Sequence, residues 1–408
     1  MKNDYSFKNL LVLKMKKNNR VIYLAVLITL GFIIYGCNQE SAPSLYQDKE
    51  AGATPVVSGV LPANEALAGV TDITINGSNF SPVKEDNLVY FGTAKATVLQ
   101  ATATQLIVKA PNLIKNDLDL KISVKGAEKF STPVKYNLLE AVGVYYAFTK
   151  GVDDPMTVTV DKNENVLVYI KDQGVRKIGT DGKLSVWAPR GAESFFFDMK
   201  IGPNNILYGT RNLRALFKVE EGKPTATYAV IPRTTVALIA LDFDENKNLW
   251  TGGSGGYLYS ITPALVIKEF PIDYTISAMR VYNGYLYVAG KKDSEEAIYR
   301  YKINSNESLG DKEKYFDIGA AYGLQKVKVG GLAFSSDGDL IIGTDQSDAF
   351  ILFRNGTASS LYPGLIGPYA RSIGWGTSKN LFYVRESPEA FSLVRVDMQK
   401  LSAPYYGR

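Results

Sequence analysis

The 408-residue chain has no histidine and a single cysteine. Without histidine there is no Ser-His-Asp or Cys-His machinery, no HExxH zinc site, no facial triad and no imidazole general base. One cysteine excludes an intrachain disulfide framework and a cysteine-rich zinc site. Charge of one sign is also scarce. Residues 1–36 carry Lys2, Lys8, Lys14, Lys16, Lys17 and Arg20 against Asp4, which accounts for the whole net charge of +5. The remainder is balanced, so no electrostatic footprint for nucleic acid is left. The longest apolar run, residues 21–35, reaches about 22 Å at roughly 1.5 Å per residue, too short for a permanent span of a roughly 30 Å bilayer core.

What is present is an ordinary globular balance, 46% hydrophobic and 12% aromatic with 36 glycines. The length exceeds one comfortable hydrophobic core, so two domains are expected. Ahead of them, a basic stretch from Met15 to Arg20 leads into the apolar run, which ends Ile34-Tyr35-Gly36-Cys37. This resembles the lipobox of bacterial lipoproteins, in which the cysteine is acylated and becomes the first mature residue. The resemblance implies a signal peptide over residues 1–36 with its true start at Met15, lipidation at Cys37 and a polar, flexible tether over residues 37–54. It also implies attachment to the outer membrane through the lipid anchor, on the cell surface. Surface-exported lipoproteins of the Bacteroidota usually carry several acids just after the cysteine, and here only Glu40 stands there.

Residues 55–138 hold short alternating runs bounded by turn residues. Ile73 and Ile75 alternate with polar neighbours, Asn76 to Asn79 reads as a turn, and Val89-Tyr90-Phe91 resumes before Gly92. About seven strands in this length suit an immunoglobulin-like sandwich without its disulfide. The wording, ITINGSNF from Ile73, VYFG from Val89, ATATQLIVKAP from Ala101 and LKISVKG from Leu120, resembles an IPT/TIG domain. Gly77 is expected to supply a positive φ after the strand, and Phe80 to anchor the next loop.

Over residues 141–408 one plan repeats six times: an alternating strand, a tight Asn/Asp/Gly turn and a more continuous apolar strand. The first apolar residue after each turn is Val166, Leu207, Leu249, Leu286, Leu340 and Leu381, spaced by an average of 43 residues. Large apolar residues recur six before it (Val160, Ile201, Phe243, Phe334, Trp375; in the fourth repeat Val281, five before) and directly after it. Such a period fits a β-propeller blade, whose sheet cannot bury both faces alone. The segment resembles NHL-type six-bladed propellers through its D-x-x-x-N-L turn and strand. The fold expected is therefore all-β: an IPT/TIG sandwich followed by a six-bladed propeller. A longer fourth interval is assigned to an insertion at residues 304–327, and the ring is expected to close with a strand from residues 142–148.

Loops leaving the second strands and loops entering the first strands open on one face of such a ring. They bring together Asp172, Gln173, Arg211, Asn212, Tyr274, Asp345, Gln346, Tyr369, Arg371 and Arg385, the candidate ligand-binding residues. Amides and paired charges hydrogen-bond vicinal hydroxyls while aromatic rings stack on pyranose faces, so the pattern points to a polysaccharide or oligosaccharide. Trp250 and Trp375 fall at core positions, while Trp187 falls outside them and is a candidate for exposure or for covering a blade edge. No cofactor or metal is called for: Asp153-Asp154 and Asp345 with Asp348 lack calcium-loop spacing, and the GGSGG at residues 252–256 lacks a phosphate-loop context.

Anchor, tether, sandwich and propeller together resemble lipoproteins of polysaccharide-uptake systems in the Bacteroidota. The resemblance implies a non-catalytic glycan-binding surface protein, not an enzyme, whose partners are an outer-membrane transporter and a nutrient-uptake receptor lipoprotein. Two alternatives stand beside it: a protein-binding scaffold, and a carboxylate-dependent polysaccharide lyase or hydrolase built on a pair such as Glu295-Glu296.

Overall fold

The computed structural model describes residues 51–293, 295–322, 327–388 and 390–407. Cys37, the expected signal peptide and nearly all of the expected tether lie outside the described residues. Strands Val56–Leu61, Asp72–Ser78 and Gln105–Lys109 form one layer of a sandwich, and Asn87–Phe91, Lys115–Val124, Val134–Leu139 and Glu65–Leu67 the other. An eighth strand, Ala94–Ala101, pairs with both layers across a bulge between Val98 and Gln100. Period-two burial makes the core: Ile73, Ile75, Val89, Phe91, Leu106, Val108, Leu120 and Ile122 are fully enclosed. Phe80 is buried with them. Gly77 plays a different part from the one its position suggests. Its φ is not positive, and Asn79 (φ 61°) makes the turn instead. A Cβ on Gly77 would lie 1.9 Å from the carbonyl oxygen of Val56, so the glycine permits close approach of two strands.

Residues 142–397 form the six-bladed propeller. The innermost strands are Pro155–Val160, Asp198–Ile201, Ala237–Phe243, Thr275–Tyr282, Val329–Phe334 and Ala370–Trp375. Each packs on the next and the last returns to the first. The recurrent apolar positions lie between blades: Val166, Leu207, Leu249, Leu286, Leu340, Leu381 and Trp250 have no exposure, and Trp375 is 8% exposed. Trp187 is buried too, packed with Tyr169, Phe196 and Met199 between blades 1 and 2. It covers a seam, the second of the two readings its position allowed, and it is not exposed.

The D-x-x-x-N turn has a clear cause. Oδ1 of Asp161 accepts the backbone N–H groups of Asn163 and Asn165 at 2.8 and 2.9 Å, and Oδ2 the Asn165 amide at 2.9 Å. Asp244 repeats this with Asn246 and Asn248 and adds the Trp250 indole at 2.9 Å. A local carboxylate thus closes the hairpin between the first and second strands. In blade 4 the third strand, Glu295–Ser305, pairs with the outer strand Glu313–Asp317, and the helix Ile318–Tyr322 leads toward blade 5. These fill much of the expected insertion.

The ring closes as expected: Val142–Phe148 pairs antiparallel with Phe391–Asp397 as the outer strand of blade 6. Only Glu140 and Ala141 separate it from the sandwich, and both are held by blade 6, Arg395 to Glu140 at 3.1 Å and the Asp397 N–H to the Ala141 carbonyl at 2.8 Å. On the face of the turns, the C-terminal segment runs across the inner ends of four blades. The Ala403 N–H donates to the Phe334 carbonyl and Arg280 Nη2 to that of Pro404 (3.0 Å), Lys247 bonds the Tyr406 carbonyl, and Gly407 lies against Ile201. It closes this end of the central channel over a cavity of about 40 Å³ lined by Lys200, Arg280, Ala333 and Tyr405.

Candidate ligand-binding face

Opposite the turns lies the face of the second-to-third-strand loops and of the loops entering each blade. Its loop geometry explains part of its composition. Asp172 (φ 59°), Asn212 (φ 55°), Asp293 (φ 53°) and Gly255 (φ 101°) occupy left-handed positions in four of these loops, which Asp, Asn and Gly tolerate best. Asp172 accepts from Arg190 Nη1 at 3.1 Å, and Gln173 Nε2 donates to the Val152 carbonyl (2.8 Å) and Asp153 Oδ1 (2.9 Å). Arg211 lies 5.2 Å over the Phe217 ring, and the Asn212 N–H donates to the Leu238 carbonyl at 2.9 Å. These four residues bond within the sectors of blades 1 to 3.

Tyr274 is not on the face. It is 5% exposed, its hydroxyl shares a hydrogen bond with that of Tyr301 at 2.6 Å, and its ring stacks on Tyr299 at 4.8 Å. The ring fits a slot left by Gly290, where a Cβ would lie 2.7 Å from Tyr274 Cδ2. Burial and the neighbouring hydroxyl push its pKa far above the usual phenol range. Tyr274 is a core residue, and its assignment to ligand is corrected.

The other five candidates meet in the sector of blades 5 and 6. Tyr369 is half-buried and holds a left-handed backbone, φ 60°, an uncommon state for an aromatic residue. Its N–H donates to the Gln346 carbonyl and its carbonyl accepts the Glu386 N–H, both at 3.3 Å. Lys328 Nζ donates to its hydroxyl at 3.3 Å. Asp345 Oδ1 accepts the Lys328 N–H (3.0 Å) and Gln346 Nε2 (2.7 Å). Arg371 Nη1 donates to Glu386 Oε2 at 3.2 Å, and Arg385 Nε to Ser392 Oγ at 3.1 Å. The result is an aromatic ring set among an amide, two guanidiniums, an ammonium and two carboxylates. Such groups donate to and accept from hydroxyls, and one pair of them, Arg371 with Glu386, is joined as an ion pair.

Two further participants, Lys328 and Glu193, were not singled out from the sequence, and a third, Glu296, was named there only as half of the Glu295-Glu296 pair. Lys328 is the second lysine of Lys326-Val327-Lys328, directly before an apolar strand, which is the signal that marks it. Glu296 is 4% exposed between blades 4 and 5, with Lys291 at 3.6 Å; burial, reinforced by nearby Asp345, raises its pKa. Glu193, 1% exposed, accepts from Tyr169 (2.8 Å), Thr225 (2.5 Å) and the Gly191 N–H (3.1 Å), and so pins the loop entering blade 2. Among the described residues no group of three or more His, Cys, Asp or Glu is gathered for a metal ion.

Comparison with known proteins agrees with this architecture. Residues 55–137 match the IPT/TIG domain. The protein is an IPT/TIG sandwich joined to a six-bladed β-propeller. No curated protein matches the sequence. Among solved structures, a protein of unknown function from Bacteroides thetaiotaomicron is similar with a TM-score of 0.51 at 15% identity, over 86% of this chain and 99% of its own. A candidate phosphatase from the same organism reaches 0.53 at 9% identity, over 85% and 97%. An auxiliary nutrient binding protein, also from that organism, gives 0.47 at 11% identity, over 85% and 98%. At these identities the likeness to the first two is one of fold.

Proposed function

We propose that this chain is a non-catalytic carbohydrate-binding protein. Lipid on Cys37 anchors it to the outer membrane, where it captures polysaccharide or oligosaccharide at the cell surface for an uptake system. The observation that carries the reading is the Tyr369 sector. A half-buried ring is held in a left-handed backbone by bonds to two neighbouring loops, with Lys328, Gln346, Arg371 and Glu386 around it. That conformation costs about 1–3 kcal/mol for a non-glycine residue and persists where the surroundings enforce it, often at ligand sites. A ring displayed at such a cost beside planar hydrogen-bonding groups suits a sugar, whose C–H face stacks while its hydroxyls bond at the edge. In the same reading the partners are an outer-membrane transporter and a nutrient-uptake receptor lipoprotein.

Affinity electrophoresis of the chain from Asn38 onward against plant, host and microbial polysaccharides tests this, with reducing ends assayed in the same tubes. Retardation without new ends is expected with at least one polymer, weakened about fivefold in Tyr369→Ala and retained in part in Tyr369→Phe, since stacking is worth on the order of 1 kcal/mol. New reducing ends would favour a hydrolase or lyase, for which buried Glu296 beside Asp345 is the pair to substitute. No retardation with any polymer would leave the protein-binding scaffold.

A further inference from the structure

A second concavity lies between the sandwich and the outer parts of blades 5 and 6, with a volume of about 530 Å³. That is within the roughly 300–1,000 Å³ of small-molecule sites, which favour domain interfaces. The sandwich contributes Gly69, Val70 and Lys109, and the propeller contributes Arg354, Tyr362 and Lys400 over an apolar floor that includes Leu361 and Trp375. The one carboxylate in the lining, Asp339, has a side chain only 7% exposed. Its oxygens are occupied by Arg354 Nε and Nη2 (2.8 and 2.6 Å) and by Lys400 Nζ (2.6 Å). The charged residues of the lining are thus three cations and one inward-turned carboxylate. Lys109 pairs with Asp72 at 2.5 Å and donates to the Val70 carbonyl at 3.0 Å, and Lys400 pairs with Asp337 as well as Asp339, each at 2.6 Å, so a ligand carboxylate would share these cations; Arg354 Nη1 takes no part in the pair with Asp339.

The rim is held in unusual backbone. Tyr362 (φ 47°) and Gln399 (φ 59°) are both left-handed, and the two are joined by Gln399 Nε2 donating to the Tyr362 hydroxyl at 3.2 Å. That hydroxyl in turn donates to the Asp397 carbonyl at 2.8 Å. Two non-glycine residues in this region within one rim mark a place where the fold sustains local cost. Hydroxyl and amide groups at the edge, an apolar floor and cations from both domains describe one ligand chemistry: a ring with hydroxyls and a negative charge.

We infer that the interdomain cleft is a separate site for a compact acidic sugar, a carboxylated mono- or disaccharide. It is independent of the Tyr369 face and stands or falls without it. Calorimetric titration of the full chain with glucuronate, digalacturonate, glucose and inorganic sulfate tests it, with thermal melts to confirm that each variant is folded. Saturable binding of at least one of the two uronates is expected, with none for glucose. Lys109→Glu and Lys400→Gln are expected to weaken it at least tenfold, and Tyr369→Ala to leave it unchanged. The inference is overturned if neither uronate binds, if glucose or sulfate binds as tightly, or if folded Lys109→Glu keeps full affinity. It is equally overturned if Tyr369→Ala removes the binding, which would place the ligand on the other face.

Discussion

Asp244 accepts four hydrogen bonds while 3% exposed: two from backbone N–H groups, one from the Asn248 amide and one from the Trp250 indole. Removing it strands buried donors, each costing about 1–3 kcal/mol when unpaired, so Asp244→Ala is expected to lose roughly 2–4 kcal/mol in urea unfolding. Asp161→Ala, which serves no indole, is expected to lose less; equal losses would show that the Trp250 bond contributes little. Glu164 carries a pH dependence. Burial alone raises its pKa, but bonds from Ser378 and Thr377 outweigh that and hold the carboxyl below its usual range. A depressed folded pKa stabilises above the unfolded value of about 4.3 and is lost as pH falls through the folded one. The stability gap between wild type and Glu164→Gln is therefore expected to be full at neutral pH and to shrink below about pH 4.3. Unfolding midpoints across a pH series check this, and a gap constant into strong acid would contradict it.

At the scale of elements, the repeat was readable because blade packing demands large apolar residues at fixed register, and Val166 through Leu381 keep that register. The channel was not read, although its signal is in the strings MKI, LDF and MRV: Lys200, Asp242 and Arg280 interrupt apolar inner strands at one shared position. There Asp242 Oδ2 accepts Arg280 Nη1 at 3.0 Å and the Val281 N–H at 2.6 Å, joining blade 3 to blade 4. Tyr274 was misread because an aromatic beside an incoming strand looks like loop; only the pairing with Gly290 reveals its slot. Phe196 sits the same way over Gly209, where a Cβ would lie 2.6 Å from its ring. The five face candidates of blades 5 and 6 were legible as types, whereas the left-handed backbone of Tyr369 was not, since nothing local announces it. The C-terminal segment yields a further prediction. Ending the chain at Ala403 removes the Pro404 carbonyl and the Tyr405 ring, 5.0 Å from the Arg280 guanidinium. The melting midpoint is expected to fall by roughly 3–8 °C, as for a loss of a few kcal/mol at this size. An unchanged midpoint would show that the segment is only draped over the channel.

Across the whole molecule, sandwich and propeller share a strand boundary rather than a loose linker. Glu140 and Ala141 are already bonded to blade 6 before Val142 begins the closing strand. Gly69 of the sandwich packs on the propeller as well, where its Cβ would be 3.3 Å from Leu365 Cδ1. Scanning calorimetry is therefore expected to give one cooperative transition, with calorimetric and van't Hoff enthalpies in agreement. Two resolved transitions would mean that these contacts do not couple the domains.

Closing the ring with its first strand also sets a schedule. As the chain is made, Val142–Phe148 emerges early, and its partner Phe391–Asp397 arrives among the last residues. Until then five blades can stack, but the outer strand of the sixth waits without its partner and both ends of the array offer open strand edges, the surfaces on which chains aggregate. The sandwich, complete by residue 139, is free of that delay. Whatever cell makes this protein must shelter an unclosed ring until the last blade is complete.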